Sequence, residues 1–243
     1  MNSQDYWLTI VTVCLNAEQT IRRTLESVER QDLSGVEYIV VDGVSKDSTL
    51  QIVARFQAKG VVTCVISEED SGLYDAMNKG IRMSHGQYVL MLNADDELIS
   101  ADALARLRPL LKENCLNYAG VLIDDGKSIR DTGKRVFKSW KMWYRMEIYH
   151  PGIVVSRKQY EQTGLYDLTY RIASDTDMVF RLVRAYQLNK LPLGLVRMHA
   201  GGLSTTHANK GFVEFEEVSV RYGLPRPLAR LIRLVKLMRT KCK

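Results

Sequence analysis

Strand-like apolar runs alternate with helix-spaced apolar stripes through the first 92 residues, and this limits the fold more than any other feature. Leu8–Cys14 (LTIVTVC) is apolar and β-branched, and Ile21, Leu25 and Val28 then recur at helical spacing. Tyr38–Val41 reads as a second strand, with Leu50, Val53 and Ala54 marking a second helix. Val61–Ile66 is a third strand, Leu73, Met77 and Ile81 mark a third helix, and Tyr88–Leu92 is a fourth strand. Such alternation predicts βαβ units and a mostly parallel sheet, an α/β class of fold. The strands are apolar throughout, as a sheet covered by helices on both faces requires.

The second half is less regular. Short strands are expected near 116–123 and 152–156, a helix at about 175–187, a strand near 191–198, a polar loop opened by Gly201-Gly202, and a helix near 210–221. Residues 125–150 show no readable period. No repeat, low-complexity segment or linker divides the chain, so one compact domain, 1–220, with a tail, 221–243, is the simplest organisation.

Composition excludes several classes. With 26% charged and 46% hydrophobic residues, a mostly disordered chain is ruled out. No run of about 18 apolar residues predicts a spanning helix, and the first 20 residues lack the pattern of a secretory signal. Cys14, Cys64, Cys115 and Cys242 show no metal-ligand spacing, so neither a zinc site nor a disulfide framework is expected and a reducing compartment fits. The net charge of +6 is unevenly spread. Residues 221–243 hold eight of the 34 basic residues and no acid, which leaves 26 basic against 28 acidic residues in the body. That argues against a basic nucleic-acid-binding face on the body.

Asp42 directly follows the second strand, and Asn93, Asp95 and Asp96 directly follow the fourth. In open α/β sheets ligands bind beyond the carboxyl ends of the strands. Asp42-Gly43 also fits a simple turn. Asp95 and Asp96, in contrast, are adjacent carboxylates that repel. A divalent cation such as Mg²⁺ or Mn²⁺, bound with substrate phosphates, relieves that repulsion.

Three ordered segments carry a family resemblance. Val40–Thr49 (VVDGVSKDST) resembles the VVDGxSxDxT segment of family 2 glycosyltransferases. Ser71–Gly80 (SGLYDAMNKG) is similar to a segment of the branch that builds bacterial O-antigen and exopolysaccharide, and Leu92–Asp96 (LNADD) resembles the family's metal-binding DxD. His150-Pro-Gly and Ala173–Leu182 (ASDTDMVFRL) extend the likeness over roughly residues 7–205. The resemblance implies a GT-A fold, with a donor-nucleotide half (1–97) and an acceptor half (98–220) around one continuous sheet. It also implies a nucleotide-sugar donor, most simply a UDP-sugar, a Mn²⁺ or Mg²⁺ cofactor and inversion at the anomeric carbon.

Roles carried over by the resemblance are as follows. Asp42 matches the aspartate that contacts the donor's base or ribose; Cys14 and Asn16 lie on the loop lining the same pocket. Asp70 and Lys79 flank the third helix, where Lys79 either meets the donor phosphates or is a solvated lysine, and Asp75 and Asn78 hold the local turn or the donor ribose. Asn93 and Ala94 fall on the donor side of the DxD-like turn. Asp95 is its first metal ligand, and Asp96 assists the metal or donor sugar, or caps the turn. Asn93 replaces the usual first Asp, and a neutral amide is a weaker ligand for a hard cation. His199, ahead of Gly201-Gly202-Leu203-Ser204, matches a late metal or phosphate contact, with His207 a weaker candidate. His150 lies where the branch has an acceptor-side histidine, and His85 beside Gly86 reads as a turn.

Asp175 and Asp177 compete for the role of general base. Ser174 with Asp177 fits a capping box, and Asp177 stands four residues before Arg181 at ion-pair spacing. Asp175 has neither local partner, and residues two apart on a helix point about 200° apart. Asp175 also matches the catalytic aspartate of the family's ED motif, with Ser174 in place of Glu. Asp175 is therefore assigned as the base that takes the acceptor's proton, while a cation stabilises the leaving diphosphate.

In the tail, Leu224, Leu228, Leu231, Val235 and Met238 recur at helical spacing, with Arg226, Arg230, Arg233 and Lys241 mostly off that stripe. A basic amphipathic helix reads as a membrane-surface element; the alternative is a helix packed on the body with a solvated basic face. With the resemblance, the tail implies a lipid-linked glycan acceptor and a peripheral position on the cytoplasmic side of the membrane. Two other readings compete: a sugar nucleotidyltransferase, although Leu15–Thr20 lacks the glycines and basic residues of a phosphate loop, and a scaffold that keeps the fold without turnover.

Overall fold

The computed structural model describes residues 6–199 and 208–241. Strands β1 (Leu8–Cys14), β2 (Val36–Asp42), β3 (Cys64–Ser67) and β4 (Tyr88–Met91) alternate with helices α1 (Ile21–Glu29), α2 (Thr49–Ala58) and α3 (Leu73–Met83). Then come β5 (Glu97–Leu98), α4 (Ala103–Leu107), β6 (Cys115–Asp124), β7 (Ile129–Asp131), β8 (Ile153–Ser156), α5 (Arg157–Thr163), α6 (Ser174–Ala185), β9 (Gln187–His199), α7 (Ala208–Arg221) and α8 (Arg226–Lys241). One sheet runs β3-β2-β1-β4-β8-β6-β9-β5, with β7 on β6.

The expected parallel order holds for β3, β2, β1 and β4. Beyond β4 the sheet is mixed, because β8 enters antiparallel to both β4 and β6. The chain leaves β1 toward β2 and β3 on one side and returns to β4 on the other. The resulting switch point opens a crevice beyond the carboxyl ends of β1 and β4.

Every residue of β1 and β2 is buried. Leu25, Val28, Val53 and Leu104 cover one face of the sheet, and Met77, Tyr160 and Phe180 cover the other. Gly80 lets α3 lie directly on β1, since a Cβ there would sit 2.3 Å from Val11 Cγ1. The third strand begins at Cys64 rather than 61, because the Val61 and Val62 amides bond Phe56 O and close α2. Sequence periodicity missed the short β5, β7, α4 and α5; a capping box is present at Ser156/Gln159, at the start of α5.

The tail forms α8, packed on α7 with its polar side inward. Arg233 Nε meets Glu216 Oε2 at 2.6 Å, and the Lys236 ammonium lies 3.3 Å from the Phe215 ring centre. Leu228, Leu231 (56% exposed), Leu234 and Met238 (60% exposed) face outward. The helix thus packs on the body, with Leu224 and Ala229 buried, while Arg226 and Arg230 are exposed beside the outward apolar residues. No helix among the described residues is long and apolar enough to cross a membrane. His207 and the Gly201-Gly202-Leu203-Ser204 loop lie outside the described residues.

Candidate active site

The loops beyond β1 and β2 are stitched together. Asn16, at φ 50°, donates its amide to Ser45 Oγ and accepts from Lys46 N at 2.9 Å. Asp42, 0% exposed, accepts from Ser45 N (3.0 Å), the Ser45 hydroxyl, Ser67 Oγ (2.8 Å) and the Cys14 thiol (3.6 Å). Both carboxylate oxygens are thus hydrogen-bonded within the β1–β2 loop network. Asp42 positions Cys14, whose thiol is held protonated by burial and by the Asp42 charge. The glycine of Asp42-Gly43 has a reason beyond the turn: a Cβ on Gly43 would sit 2.6 Å from Asp70 Oδ2.

Cys14 and Asp70 line a cavity of about 500 Å³ with Leu73, Ala76, Arg171 and Lys210. Lys79 is not there. Its ammonium bonds Glu69 O (2.6 Å) and Glu68 (3.0 Å), which satisfies it away from the crevice. Asp75 accepts from Ser71 N and Asn78 binds both backbone groups of Tyr166, so both serve local structure. His85 pairs with the buried Glu37 through Nδ1 at 2.7 Å.

Beyond β4 the acidic turn is held from behind by α1. Thr24 Oγ1 donates to Asp96 O at 2.6 Å, Arg23 Nη2 to Asp95 O at 3.1 Å, and Ser27 Oγ accepts from Leu98 N. These contacts fix the backbone of the turn. Asn93 Oδ1 and Asp96 Oδ2 are buried with no protein partner. Burial raises the Asp95 carboxyl, and burial together with Asp95 raises Asp96 well above the usual carboxylate range. Ala94 points into the core, away from the donor side on which it was expected.

Asn93, Asp95 and Asp96 line a second cavity, about 350 Å³, together with His150, Asp175 and His199. Leu73, Arg171 and Ile172 border both cavities, so the two form adjoining chambers. His199 Nε2 lies 3.2 Å from Glu97 Oε1. His150 is buried with Nε2 unpartnered, and burial lowers its pKa to about 4, so the imidazole is neutral at neutral pH. Among the described residues no three His, Cys, Asp or Glu side chains converge as a cation site.

Asp175 opens α6. Burial lifts its carboxyl from 3.8 to about 6, against the pull of Thr176 N–H (2.6 Å), the Thr176 hydroxyl and Tyr74. Asp177 is consumed structurally by Arg181 Nε (2.9 Å), Tyr222 Oη (2.8 Å) and Arg221 Nη1 (3.3 Å). The expected Ser174–Asp177 capping box does not form: the N-cap is Ala173 and Ser174 Oγ is buried without a partner. Glu214 of α7 instead accepts from Arg171 N, Ile172 N and Ala173 N at 3.2, 2.7 and 3.0 Å, fixing the loop that delivers Asp175. Nothing in the local sequence marks Glu214, which lies 39 residues after Asp175. Arg130, Met146 and Tyr149 come from the segment without periodicity, and Arg171 was also missed.

A sheet that is parallel through β4, switches direction at β1 and becomes mixed beyond β4 is the GT-A glycosyltransferase architecture. S. aureus TarS in complex with UDP-GlcNAc superposes with a TM-score of 0.72 at 16% identity, over 93% of this chain and 70% of that chain. Mannosyltransferase PcManGT from Pyrobaculum calidifontis, in complex with GDP-Man and Mn²⁺, gives 0.64 at 17% identity, over 98% and 76%. The profile of Glycosyl transferase family 2 matches residues 9–172. A PGL/p-HBAD biosynthesis glycosyltransferase of Mycobacterium bovis is 31% identical over 225 residues, 88% of this chain and 86% of the relative. The chain belongs to glycosyl transferase family 2 and is a glycosyltransferase.

Proposed function

We propose that the protein transfers a sugar, with inversion, from a UDP-sugar to a hydroxyl of a lipid-linked glycan acceptor in bacterial surface-glycan synthesis. The observation that carries this reading is the second chamber, where the acidic turn, His150 and Asp175 face one space beside the Cys14/Asp70 cavity. The nucleoside fits the Cys14/Asp70 cavity and the diphosphate lies toward Arg171, which borders both chambers. The UDP and UDP-GlcNAc complexes of TarS support the choice of donor.

The orphaned oxygens of Asn93 and Asp96 and the free carboxylate of Asp95 suit an oxygen-seeking divalent cation, Mn²⁺ or Mg²⁺. His199 borders the same chamber. Such a cation neutralises charge on the leaving diphosphate. With too few carboxylates converging to form a closed site, binding of cation and diphosphate is mutually dependent. Asp175 accepts the proton of the attacking acceptor hydroxyl, and its raised pKa keeps it basic enough to do so at neutral pH. One displacement needs no covalent intermediate, so the anomeric configuration inverts. Neutral His150 orients the acceptor as a hydrogen-bonding group. The decisive assay follows UDP release and product anomer by NMR with UDP-sugars, Mn²⁺ and lipid-linked acceptors. Turnover by Asp175→Asn equal to wild type, or a retained anomeric configuration, contradicts the mechanism.

The tail extends the reading to location: a peripheral protein on the cytoplasmic face of the membrane. The outward Leu228, Leu231, Leu234 and Met238, with exposed Arg226 and Arg230 beside them, match an anionic lipid surface. Leu231→Glu with Met238→Glu should reduce sedimentation with phosphatidylglycerol vesicles at least tenfold. Unchanged sedimentation would remove the tail from the account.

A further inference from the structure

A third cavity opens off the chamber that holds Asp175. It measures about 430 Å³ and is walled by Tyr144, Met146, Ile172, Phe212 and Phe215 together with two cations, Arg145 and Lys236. Met146, Ile172 and Asp175 border it and the active chamber alike. Asp175 is the only acid in its lining. Phe212 and Phe215 remain partly exposed there rather than closing into the core. The fourth wall, Lys236, lies on the inner side of α8, the helix whose outer side carries Leu231 and Met238. A ligand with a hydroxyl at Asp175 therefore meets aromatic and aliphatic surface immediately beside it.

We propose that this cavity binds the apolar aglycone of the acceptor, an alkyl or aryl group carried on the molecule whose hydroxyl faces Asp175. The proposal rests on the reading of the Asp175 chamber as the transfer site. It adds the substrate class: acceptors with an apolar aglycone are preferred over the same sugar without one. Each methylene removed from water strengthens binding roughly three- to fourfold, so a short chain suffices for a measurable preference. The cavity can be blocked from α7, because a Cβ on Gly211 would lie 3.2 Å from Ile172 Cγ2 and a longer side chain projects into the space.

The test is binding, independent of turnover. The full chain, labelled at methionine methyls, is titrated with octyl glucoside and with methyl glucoside below the micelle concentration, and the Met146 signal is followed. The expected result is half-saturation by octyl glucoside at a concentration at least about tenfold lower than by methyl glucoside. Phe215→Ser and Gly211→Leu should each reduce that ratio to below about threefold. Equal binding of the two glycosides by wild type overturns the proposal and makes the cavity a sugar subsite. A ratio unchanged in both variants also overturns it, by moving the apolar contact elsewhere. Failure of the glycosyltransfer reading is distinct, since it shows as absent donor turnover whatever the glycoside titrations give.

Discussion

Strands β2 and β4 flank β1 and both deliver acids to its carboxyl end, yet the protein treats them in opposite ways. Behind β2, Asp42 is enclosed by four internal donors. Beyond β4, the backbone of the 93–96 turn is tied to α1, while Asn93 Oδ1 and Asp96 Oδ2 are buried without protein partners in residues that line the chamber. The same contrast separates Asp177, held by three side chains, from Asp175, whose carboxyl is raised by burial. A buried carboxylate with its donors in place builds the fold, whereas one left unsatisfied carries an energetic cost that a ligand relieves.

Mutation should separate the two kinds of acid, beginning with the largest effect. Asp175→Asn should lower kcat by about 10²–10⁴ while leaving UDP binding within about twofold in calorimetry. A matching loss of UDP affinity would show that Asp175 belongs to the donor site. Asp42→Ala should cost about 1–3 kcal/mol of stability in denaturant melts, because it strands the buried Cys14 thiol and the partly buried Ser45 and Ser67 donors. A cost below about 0.5 kcal/mol would erase the distinction. Asp96→Asn should do the reverse, holding or raising stability by up to about 1 kcal/mol while weakening the response of UDP binding to Mn²⁺, since it removes repulsion between adjacent acids.

Asp175 also sets a dependence on pH. The Asp175 carboxyl is neutral in folded and unfolded states below about 3.8, and its ionisation is opposed by the fold up to about 6. Wild-type stability therefore falls relative to Asp175→Asn as pH rises through that window, and the two melting curves should separate by about 3 kcal/mol above it. Activity moves the other way: kcat/KM should rise with an acidic limb near 6. A limb near 4 would mean that an ordinary exposed carboxylate is the base.

Much of this contrast was visible in the sequence, though not all for the right reason. The β1–β4 core is legible because its strands are apolar on both faces and its helices keep a 3.6-residue period. Asp95, Asp175, His150 and His199 are legible because they sit at strand ends and in family-like segments. What the sequence hid depends on distant partners. The hydrogen bonds that Asp42 accepts from Ser45, Ser67 and Cys14 show only once the loops are folded together. Lys79 looks available until Glu68 and Glu69 O take its ammonium. Ser174 and Asp177 fit a capping pattern, but Glu214 from another helix secures the preceding loop, and Arg221 and Tyr222 join Arg181, whose spacing was readable, on Asp177. The outward apolar stripe of α8 is readable as a stripe, but its direction is set by Arg233–Glu216 and Lys236–Phe215, which no local pattern reveals.

The most direct measurement is a calorimetric titration of UDP into wild type, Asp95→Ala and Asp175→Asn, each with and without Mn²⁺. The account predicts Mn²⁺-dependent UDP binding in wild type and in Asp175→Asn, and at least a tenfold loss of that dependence in Asp95→Ala. UDP binding that ignores Mn²⁺ in wild type, or that survives unchanged in Asp95→Ala, would contradict the claim that the unsatisfied turn beyond β4 is the donor's diphosphate and cation site.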